Sequence, residues 1–254
     1  MASFSPETIT HVGFLPITNT LIHTLFVDGV LIAISVYVSK NTKQIPSFFQ
    51  NMMEGLMEVG YNLTKSIAQK THEYIFPFAM SFFLFIFVAN ITSLFPGFGS
   101  IGFFETKKHL VPLLRGATSD LNVTLALAVV SIIATHALSI KLTGIKNYLG
   151  RFFSLNPILL FVGILEIVAE ITKVISLSFR LFGNIYAGEV ALMTVSGLFA
   201  FLFPLPFLFL ENIVALVQAL VFSILTLVFM AILTTPHHLS HGTSRHVVRE
   251  VSSS

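Results

Sequence analysis

Long apolar runs alternate with short polar segments along the chain, a pattern typical of proteins that cross a membrane several times. A helix of about 20 apolar residues is long enough to cross the hydrocarbon core. The pattern predicts membrane helices at 20–39, 74–95, 121–142 and 207–235. A further apolar run, 157–200, is about twice as long as one crossing requires. A polar tail, 236–254, ends the chain.

Residues 45–70 carry a different pattern. Apolar side chains recur there at helical spacing with polar and charged side chains between them, which predicts an amphipathic helix on the membrane surface. A short helix packed on a partner subunit is the alternative. We interpret residues 98–120 as a loop and residues 141–156 as a short basic connector.

The run 157–200 is too long to stand upright in a bilayer as one straight helix. At 1.5 Å per residue it would extend about 66 Å, against a hydrocarbon core of about 30 Å. Two crossings would need a tight turn near Gly183, and the sequence NIYAG is a poor turn. We therefore expect one steeply tilted helix that forms a long hairpin with 207–235. Such a hairpin would present a broad wall to a partner.

These elements predict an all-α integral membrane protein, a single membrane domain over 1–254 with about five membrane helices and one amphipathic surface helix. Composition supports this class, because 54% of the residues are hydrophobic and only 10% are charged, against about 25% charged in soluble domains. The formal charge of +2 gives no reason to expect nucleic-acid binding, and the absence of cysteine excludes disulfides and thiol chemistry.

Lysine and arginine are shared unevenly between the polar segments, and this bias predicts the orientation in the membrane. Segments 40–73 and 141–156, together with the tail, contain nine of these residues. The segments on the other side contain three, which are Lys107, Lys108 and Arg115. We therefore expect the N-terminus outside and the C-terminus in the cytoplasm.

Arg180 lies near the middle of the long apolar run and cannot escape the cost of burial by losing its proton. A carboxylate is its most economical partner. On a helical wheel, one polar stripe lies within about 80° of Arg180; it comprises Glu166, Glu170, Lys173, Ser176 and Asn184. Glu189 lies on the opposite face. Glu211 and Gln218 share a face of the last helix, where Glu211 is placed to meet Glu189 across the hairpin.

This distribution suits two proton half-paths that do not connect. On one side Glu189 and Glu211 can relay protons, with Asn184 and Gln218 holding water. The path to the other side would be lined by Glu166, Glu170 and Ser176. Arg180 stands between them as a fixed positive charge, and a carboxylate moving past it would be forced to ionise.

Several polar residues also have a structural explanation. Lys173 can extend its ammonium to the membrane surface, and Glu166 can lie at that surface. His136, alone on an apolar helix, is interpreted as a hydrogen-bonded structural residue. The histidines of the tail are interpreted as solvated rather than metal-binding; they are His237, His238, His241 and His246. We expect no metal and no cofactor.

Other functions fit the sequence less well. A secondary transporter would show an inverted repeat or paired broken helices, which the sequence lacks. A haem-bearing subunit would need a facing pair of histidines, and only His23 and His136 lie well inside apolar segments. A structural scaffold leaves Arg180 unexplained. A secondary transporter or another proton-translocating membrane subunit remains the alternative.

The segment SLSFRLFGNIYAGE, Ser176–Glu189, closely resembles the signature of subunit a of F-type ATP synthases, the stator subunit of the proton channel. Two further segments agree with this family. SDLNVTLALA, at Ser119–Ala128, resembles the start of its fourth helix, and Gln218 followed by ALVFSILTLVF resembles its last helix. The similarity extends from Thr18 to Thr235.

The resemblance implies a role for each matched position. Arg180 corresponds to the family's essential arginine, which faces the carboxylate of the rotating c-ring. The outer half-channel would comprise Glu189, Asn184, Gln218 and Glu211, the last at a position where some members carry His. The inner half-channel would comprise Glu166, Glu170, Lys173 and Ser176. Nothing is implied for the loop Glu105–Arg115, which varies in the family.

The resemblance also implies a setting. The chain would be a non-catalytic subunit of a proton-translocating ATP synthase without a cofactor, and it contains no phosphate-binding Gly-rich loop. Its partners would be the c-ring subunits, the peripheral-stalk subunit b, other ATP synthase subunits and membrane lipid. A bacterial plasma membrane is expected from the polar N-terminus and the extended outer loop, and an organelle inner membrane is the alternative.

Overall fold

The computed structural model describes residues 8–12, 15–95, 102–106, 109–112, 115–152, 157–198 and 204–234. α-Helices make up most of this part of the chain. They are α1 (Asn19–Lys40), α2 (Phe48–Ile67), α3 (His72–Ser93), α4 (Leu121–Thr143), α5 (Ile145–Phe152), α6 (Pro157–Leu198) and α7 (Pro204–Thr234). The all-α class predicted from the sequence is confirmed.

Four of the helices, α1, α3, α4 and α7, are long and apolar enough to cross a membrane, with 22 to 31 residues and a mean hydropathy of 2.0 to 2.6. Helix α6 is longer and carries more charge. Its 42 residues extend about 63 Å at 1.5 Å per residue. A hydrocarbon core about 30 Å thick accommodates such a helix only when it lies obliquely or extends beyond the core. The chain is a multi-pass membrane protein.

Local sequence fixes where several helices begin and end. Ser47 accepts a hydrogen bond from the backbone N–H of Gln50 at the start of α2, and Asp120 accepts one from Asn122 at the start of α4. Proline is the first residue of both α6 and α7, where its missing N–H leaves no helical bond unmade. Gly144 ends α4 with a φ of 82°, a conformation that favours glycine, and α5 follows at once.

Helix α2 packs against α3 and α7. Its Gln50 and Thr64 are buried, while Phe48 and Val59 stay exposed. The exposed apolar side chains leave a surface that suits either membrane lipid or a partner subunit, the two settings that the sequence predicts for this segment.

The bundle has two ends, which we name after residues that lie there. At the Asp120 end, α1, α4 and α7 begin and α3 and α6 end. At the Thr234 end, α3 and α6 begin and α1, α4 and α7 end. The hydroxyls of Thr71 and Thr234, 3.2 Å apart, join the start of α3 to the end of α7.

Helices α3, α4, α6 and α7 share one core. Its buried side chains mix large aromatic and aliphatic groups with alanines that let the helices approach closely; they are Met80, Phe82, Phe83, Ile86, Ala128, Leu177, Leu181, Ile185, Ala219 and Phe222. Hydroxyl pairs cross the same interfaces. Ser131 and Thr226 lie 2.9 Å apart between α4 and α7, and Thr124 and Ser178 lie 3.2 Å apart between α4 and α6. Each such bond contributes about 0.6 kcal/mol in a membrane, so the pairs specify register more than they add stability.

Two short β-hairpins lie outside the helices, and the hydrophobic pattern does not predict them. Strand β1 (Thr8–Val12) pairs antiparallel with β2 (Leu15–Thr18), with Val12 opposite Leu15. Strand β3 (Gly102–Thr106) pairs antiparallel with β4 (His109–Pro112), with Gly102 opposite Pro112. Strands of four or five residues are too short to give a periodic signal, and their backbone groups are satisfied by pairing with each other.

The interpretation of residues 98–120 as a loop is therefore wrong in part. Besides β3 and β4, this segment contains a 3-10 turn at Ala117–Ser119. The turn is fully buried and packs against α3, α4 and α6. It leads directly into Asp120, the N-cap of α4. A conformation held by tertiary contacts of this kind has no local sequence signature.

Helix α5 occupies half of the segment 141–156, which the sequence presents as a connector. A helix of eight residues is not stable alone, and α5 forms here because it packs against α4 and α6. The Asn147 side chain also donates a hydrogen bond to the carbonyl of Thr143 at 2.9 Å, which holds α5 to the end of α4.

Candidate ion-translocation site

Arg180 lies on the exposed face of α6. Its Nη2 donates a hydrogen bond to Oγ of Ser176, one turn earlier in the helix, at 3.3 Å. The neighbouring apolar side chains Ile175 and Phe179 are 50% and 54% exposed. Within the described ranges, no carboxylate lies at ion-pair distance from the guanidinium. The permanent charge therefore faces an apolar outer surface rather than the chain's own acidic groups.

A first acidic cluster lies between α6 and α7, towards the Asp120 end. Glu211 is only 6% exposed, and its carboxyl group rests against Gly188. A Cβ atom at Gly188 would overlap this carboxyl group, so only glycine fits without a shift. The next residue, Glu189, is close enough for its charge to act on Glu211. The structure thus brings the two carboxyl groups together across the α6–α7 hairpin.

Oε1 of Glu211 is buried and accepts no hydrogen bond from any described residue. A buried carboxyl oxygen without a donor is costly unless a proton or a water molecule satisfies it. This atom is therefore available to a mobile proton.

Arg115 and Ser119, which the sequence does not place in either half-path, also lie near Glu189. The Ser119 hydroxyl, which donates a hydrogen bond to the carbonyl of Gly116 at 2.9 Å, lies beside the Glu189 carboxyl group, and the charge of Arg115 acts on that group. Gly116 lies against the same carboxyl group, since a Cβ there would be 3.0 Å from Oε1 of Glu189. Ser119 is the first residue of the SDLN segment, and this segment could have identified it as a site residue. The sequence contains no such signal for Arg115, because it comes close to Glu189 only when the segment before α4 folds against α6.

A buried polar layer ties this segment to the rest of the Asp120 end. Asn90, fully buried in α3, accepts a hydrogen bond from Thr118 at 2.6 Å and donates one to the carbonyl of Ala215 in α7 at 3.4 Å. Asp120 accepts a hydrogen bond from Thr20 of α1 at 2.9 Å. Three helices therefore hold the chain that carries Arg115 and Ser119 beside Glu189.

His23 is a structural member of the same layer. Its Nδ1 accepts a hydrogen bond from the backbone N–H of Ala117 at 2.9 Å, so the proton of the neutral ring is on Nε2, 3.0 Å from the Thr92 hydroxyl. His136 instead contacts α5 and α6 towards the Thr234 end. The two histidines do not face each other and cannot ligate one haem.

Asn184 and Gln218, which the sequence groups with the acidic pair, are not bonded to it. Asn184 is exposed on α6, and Gln218 is partly exposed on α7. Within the part of the chain that the structure describes, neither amide hydrogen-bonds to another residue. Both amides are therefore open to water or to a partner.

A second charged cluster lies between α4, α5 and α6, towards the Thr234 end. Lys173 donates a hydrogen bond to Oε1 of Glu170 at 2.6 Å, and Oε2 of Glu170 is 3.7 Å from Nε2 of His136. Nδ1 of His136 is 3.0 Å from the hydroxyl of Tyr148 on α5. The Lys173 ammonium also lies 4.6 Å from the centre of the Phe229 ring on α7, a favourable cation–π distance.

The single polar stripe predicted along α6 is divided in the structure. Ser176 bonds Arg180 on the exposed face, whereas Lys173 bonds Glu170, which is turned to α4. Glu166, one turn before Glu170, is close enough to act on the histidine of α4 through its charge. A helical wheel places residues around one axis and does not show which neighbouring helix covers each sector.

Arg180 separates the two clusters along α6. It lies nine residues from Glu189 and ten from Glu170, or about 14 Å and about 15 Å along the helix axis in opposite directions. Within the described ranges, no group of three or more His, Asp and Glu side chains is placed to hold a metal ion. The tail histidines His237, His238, His241 and His246 lie outside the described residues.

Comparison with known proteins gives one consistent result. The family described as ATP synthase A chain matches residues 21–231. The chain is similar to ATP synthase subunit a of Legionella pneumophila subsp. pneumophila (strain Philadelphia 1), at 31% identity over 224 residues covering 87% of this chain and 88% of the relative. It is also similar to ATP synthase subunit a 2 of Pelobacter propionicus, at 31% over 231 residues covering 89% and 90%. Subunit a of Moorella thermoacetica is 29% identical over 231 residues, covering 91% and 97%.

Proposed function

The chain belongs to the ATP synthase A chain family, and from this premise we propose that it carries protons through the membrane by two half-paths that Arg180 separates. It is a membrane-sector subunit of the ATP synthase complex with a role in proton translocation. Membership in this family leaves the alternative of a secondary transporter without support.

The observation that carries the proposal is the position of Arg180. A guanidinium cannot be neutralised by losing a proton, and its burial in a membrane costs several kcal/mol or more unless it is paired. Its one hydrogen bond within the described chain is to Ser176, a neutral group. The compensating carboxylate therefore belongs to another subunit, and we assign it to the c-ring that would pack on the exposed face of α6.

The outer half-path would run along the first acidic cluster. The charge of Glu189 acts on Glu211, and Oε1 of Glu211 accepts no hydrogen bond from a described residue, so we expect a proton to pass between the two carboxyl groups directly or through a water molecule. Asn184 and Gln218 would hold water between this pair and the c-ring. Two adjacent carboxyl groups inside a membrane carry a free-energy cost, and such groups are typical of proton relays.

The inner half-path would use the second cluster and the residues leading to it. Glu166 and Glu170 supply carboxylates one turn apart, and Lys173 balances the charge of Glu170. Ser176 lies between this cluster and the guanidinium and bonds the latter. A proton released next to Arg180 would leave by this route.

The guanidinium couples proton transfer to rotation. A c-ring carboxylic acid that approaches Arg180 is driven to ionise, because the adjacent positive charge favours the carboxylate. Its proton leaves through one half-path, and the carboxylate is reprotonated from the other after it has moved past. The membrane potential supplies about 2.3 kcal/mol per proton per 100 mV for this cycle.

The assembly follows from the same proposal. The chain would be non-catalytic, with nucleotide chemistry in other ATP synthase subunits, and would contact the c-ring, the peripheral-stalk subunit b and membrane lipid. The Thr234 end would face the cytoplasm of a bacterium and the N-terminus the outside of its plasma membrane. The lysine and arginine bias of the polar segments supports this orientation.

The test compares native complex with Arg180→Ala in inverted membrane vesicles. We expect Arg180→Ala to abolish ATP-driven proton pumping, while passive proton leak after removal of the catalytic head is retained or increased. The matched control is Thr194→Ala, an exposed α6 residue whose hydroxyl, within the described chain, bonds the carbonyl of Val190 in its own helix. This control should pump normally.

Normal pumping by an assembled Arg180→Ala complex would contradict the proposed mechanism. Immunodetection of the other subunits in the same vesicles establishes assembly. Arg180→Lys adds a further comparison, because lysine keeps a positive charge but can lose its proton at depth. We expect it to pump less than the native complex.

A further inference from the structure

The cluster at the Thr234 end contains a histidine beside a carboxylate that already has a partner. Lys173 binds Oε1 of Glu170 at 2.6 Å. His136 takes the other side of the same carboxylate, with Nε2 3.7 Å from Oε2. Of the side chains assembled here, histidine is the one whose unperturbed charge change falls between about pH 5 and pH 8. The site therefore contains a group that can take up or release a proton while Glu170 stays paired.

We propose that His136 is a proton-carrying residue of the inner half-path, which exchanges protons between Glu170 and the aqueous surface at the Thr234 end. The proposal rests on the proposed function, because it adds a residue to that half-path. The separation of 3.7 Å exceeds a direct hydrogen bond. A small side-chain movement or one bridging water molecule would complete the transfer geometry.

The His136 side chain is more accessible from outside the chain than the carboxylate of Glu170. The His136 side chain is 23% exposed, against 12% for Glu170. Tyr148, on the short helix α5, places its hydroxyl 3.0 Å from Nδ1 and its ring edge-on to the imidazole. When this hydroxyl donates to Nδ1, the proton of the neutral ring is on Nε2, the atom that faces Glu170. Tyr148 thereby selects the tautomer that can exchange with the carboxylate.

The charges around His136 leave room for both of its protonation states. Among the described side chains, the titratable and charged groups facing it are Tyr148 on α5 and Glu166, Glu170 and Lys173 on α6. Lys141, on the same helix as His136, directs its ammonium to the Tyr74 ring of α3, 5.9 Å away. Two carboxylates and one ammonium leave one net negative charge. With a protonated ring the net charge of the cluster is zero, and with a neutral ring it is −1. The cluster is therefore close to neutral in both protonation states of His136.

The experiment measures passive proton flux through the membrane sector of inverted vesicles without the catalytic head, driven by a potassium diffusion potential. The variants are His136→Ala, Glu170→Gln and the two combined. Ile133→Ala is the matched control, because Ile133 lies about one turn before His136 on α4 and its side chain is 61% exposed. We expect His136→Ala to lower the flux by about tenfold or more, as expected when a positioned acid–base group is removed. Because both residues lie in one relay, the double variant should be no slower than the slower single variant.

Imidazole added to the bath provides a readout that a structural role would not change. The bath contacts the cytoplasmic face of inverted vesicles, so imidazole can enter the space left by the missing ring. We expect it to restore flux in His136→Ala and to leave Glu170→Gln and the native complex unchanged. Native flux in assembled His136→Ala complexes would overturn the proposal. A second outcome would also overturn it: imidazole fails to restore flux in His136→Ala, while the His136→Gln variant conducts normally. Glutamine keeps hydrogen bonds without carrying a proton, so that result would show a structural role.

His136→Gln also decides the matter should the alanine variant fail to assemble. An assembled glutamine variant with low flux supports proton transfer by the ring, and one with native flux overturns it. Arg180→Ala, assayed for ATP-driven pumping in vesicles that keep the catalytic head, separates this inference from the proposed function. If Arg180→Ala pumps normally, the two-half-path mechanism itself fails. If Arg180→Ala behaves as expected and His136→Gln conducts normally, only the role of His136 is refuted.

Discussion

The contact of Glu211 with Gly188 predicts that Gly188→Ala destabilises the chain when Glu211 is present and stabilises it when the Glu211 carboxyl group is removed. A Cβ at Gly188 would overlap the Glu211 carboxyl group, and even Oε2, the farthest of its three nearest atoms, would lie only 2.9 Å away. The Gly188→Ala variant must therefore turn the carboxyl group away or separate α6 from α7. Overpacking of this kind costs about 1–3 kcal/mol. Replacing a helical glycine by alanine stabilises a helix by about 0.5–1 kcal/mol, so the net loss is at most about 2.5 kcal/mol.

Removal of the carboxyl group should reverse the effect. In a Glu211→Ala background the overlap is gone, so Gly188→Ala should stabilise the chain by about 0.5–1 kcal/mol. Gly183 is the matched control in the same helix, because a Cβ there would meet no described atom within 4 Å. Gly183→Ala should stabilise by the same amount in both backgrounds.

The assay is the free energy of unfolding of the purified full-length chain, measured by titration with SDS in mixed micelles. A double-mutant cycle on Gly188 and Glu211 should give a coupling energy of about 1–3 kcal/mol. Equal destabilisation by Gly188→Ala with and without the Glu211 carboxyl group would refute this packing of α6 against α7. In assembled complexes, Gly188→Ala should also lower proton pumping, because the displaced Glu211 leaves the outer half-path.

Two further predictions concern the polar layer at the Asp120 end, measured by the same SDS titration. Asp120→Ala should cost about 1–3 kcal/mol of stability, because it removes the acceptor for both the Asn122 N–H and the Thr20 hydroxyl. Asp120→Asn should cost less, because asparagine keeps the N-cap acceptor. Equal losses in the two variants would contradict the capping role. His23→Phe should cost about 1–3 kcal/mol by leaving the buried N–H of Ala117 without an acceptor, and it should speed amide exchange at Ala117; unchanged exchange there would show that the bond is absent.

The membrane class and the helix pattern were predictable from the sequence, because both depend on local composition. A run of about 20 apolar residues must form a helix in lipid, since only helices and closed barrels satisfy their own backbone there. The excess length of 157–200 predicted one long helix, and α6 is that helix. The free-energy cost of burying Arg180 could also be predicted from local sequence, because it follows from the charge and the apolar residues on both sides.

The hairpins and α5 were not predictable in the same way. They are too short to show a period, and α5 is stabilised by contacts with α4 and α6 rather than by its own sequence. The segment before α4 acquires its conformation from a buried layer in which Asn90 and His23 reach it from other helices.

The tertiary structure decided which side chains lie together in each of the two charged clusters. The sequence supplied Glu189, Glu211 and Glu170 as candidates, and the fold added the residues around them. Arg115 meets Glu189, and His136 meets Glu170, only because α6 is covered by the segment before α4 at one end and by α4 itself at the other. Which faces of two helices meet depends on the packing of many apolar side chains at once. No single residue encodes that choice, so polar partners far apart in sequence become visible only in the folded chain.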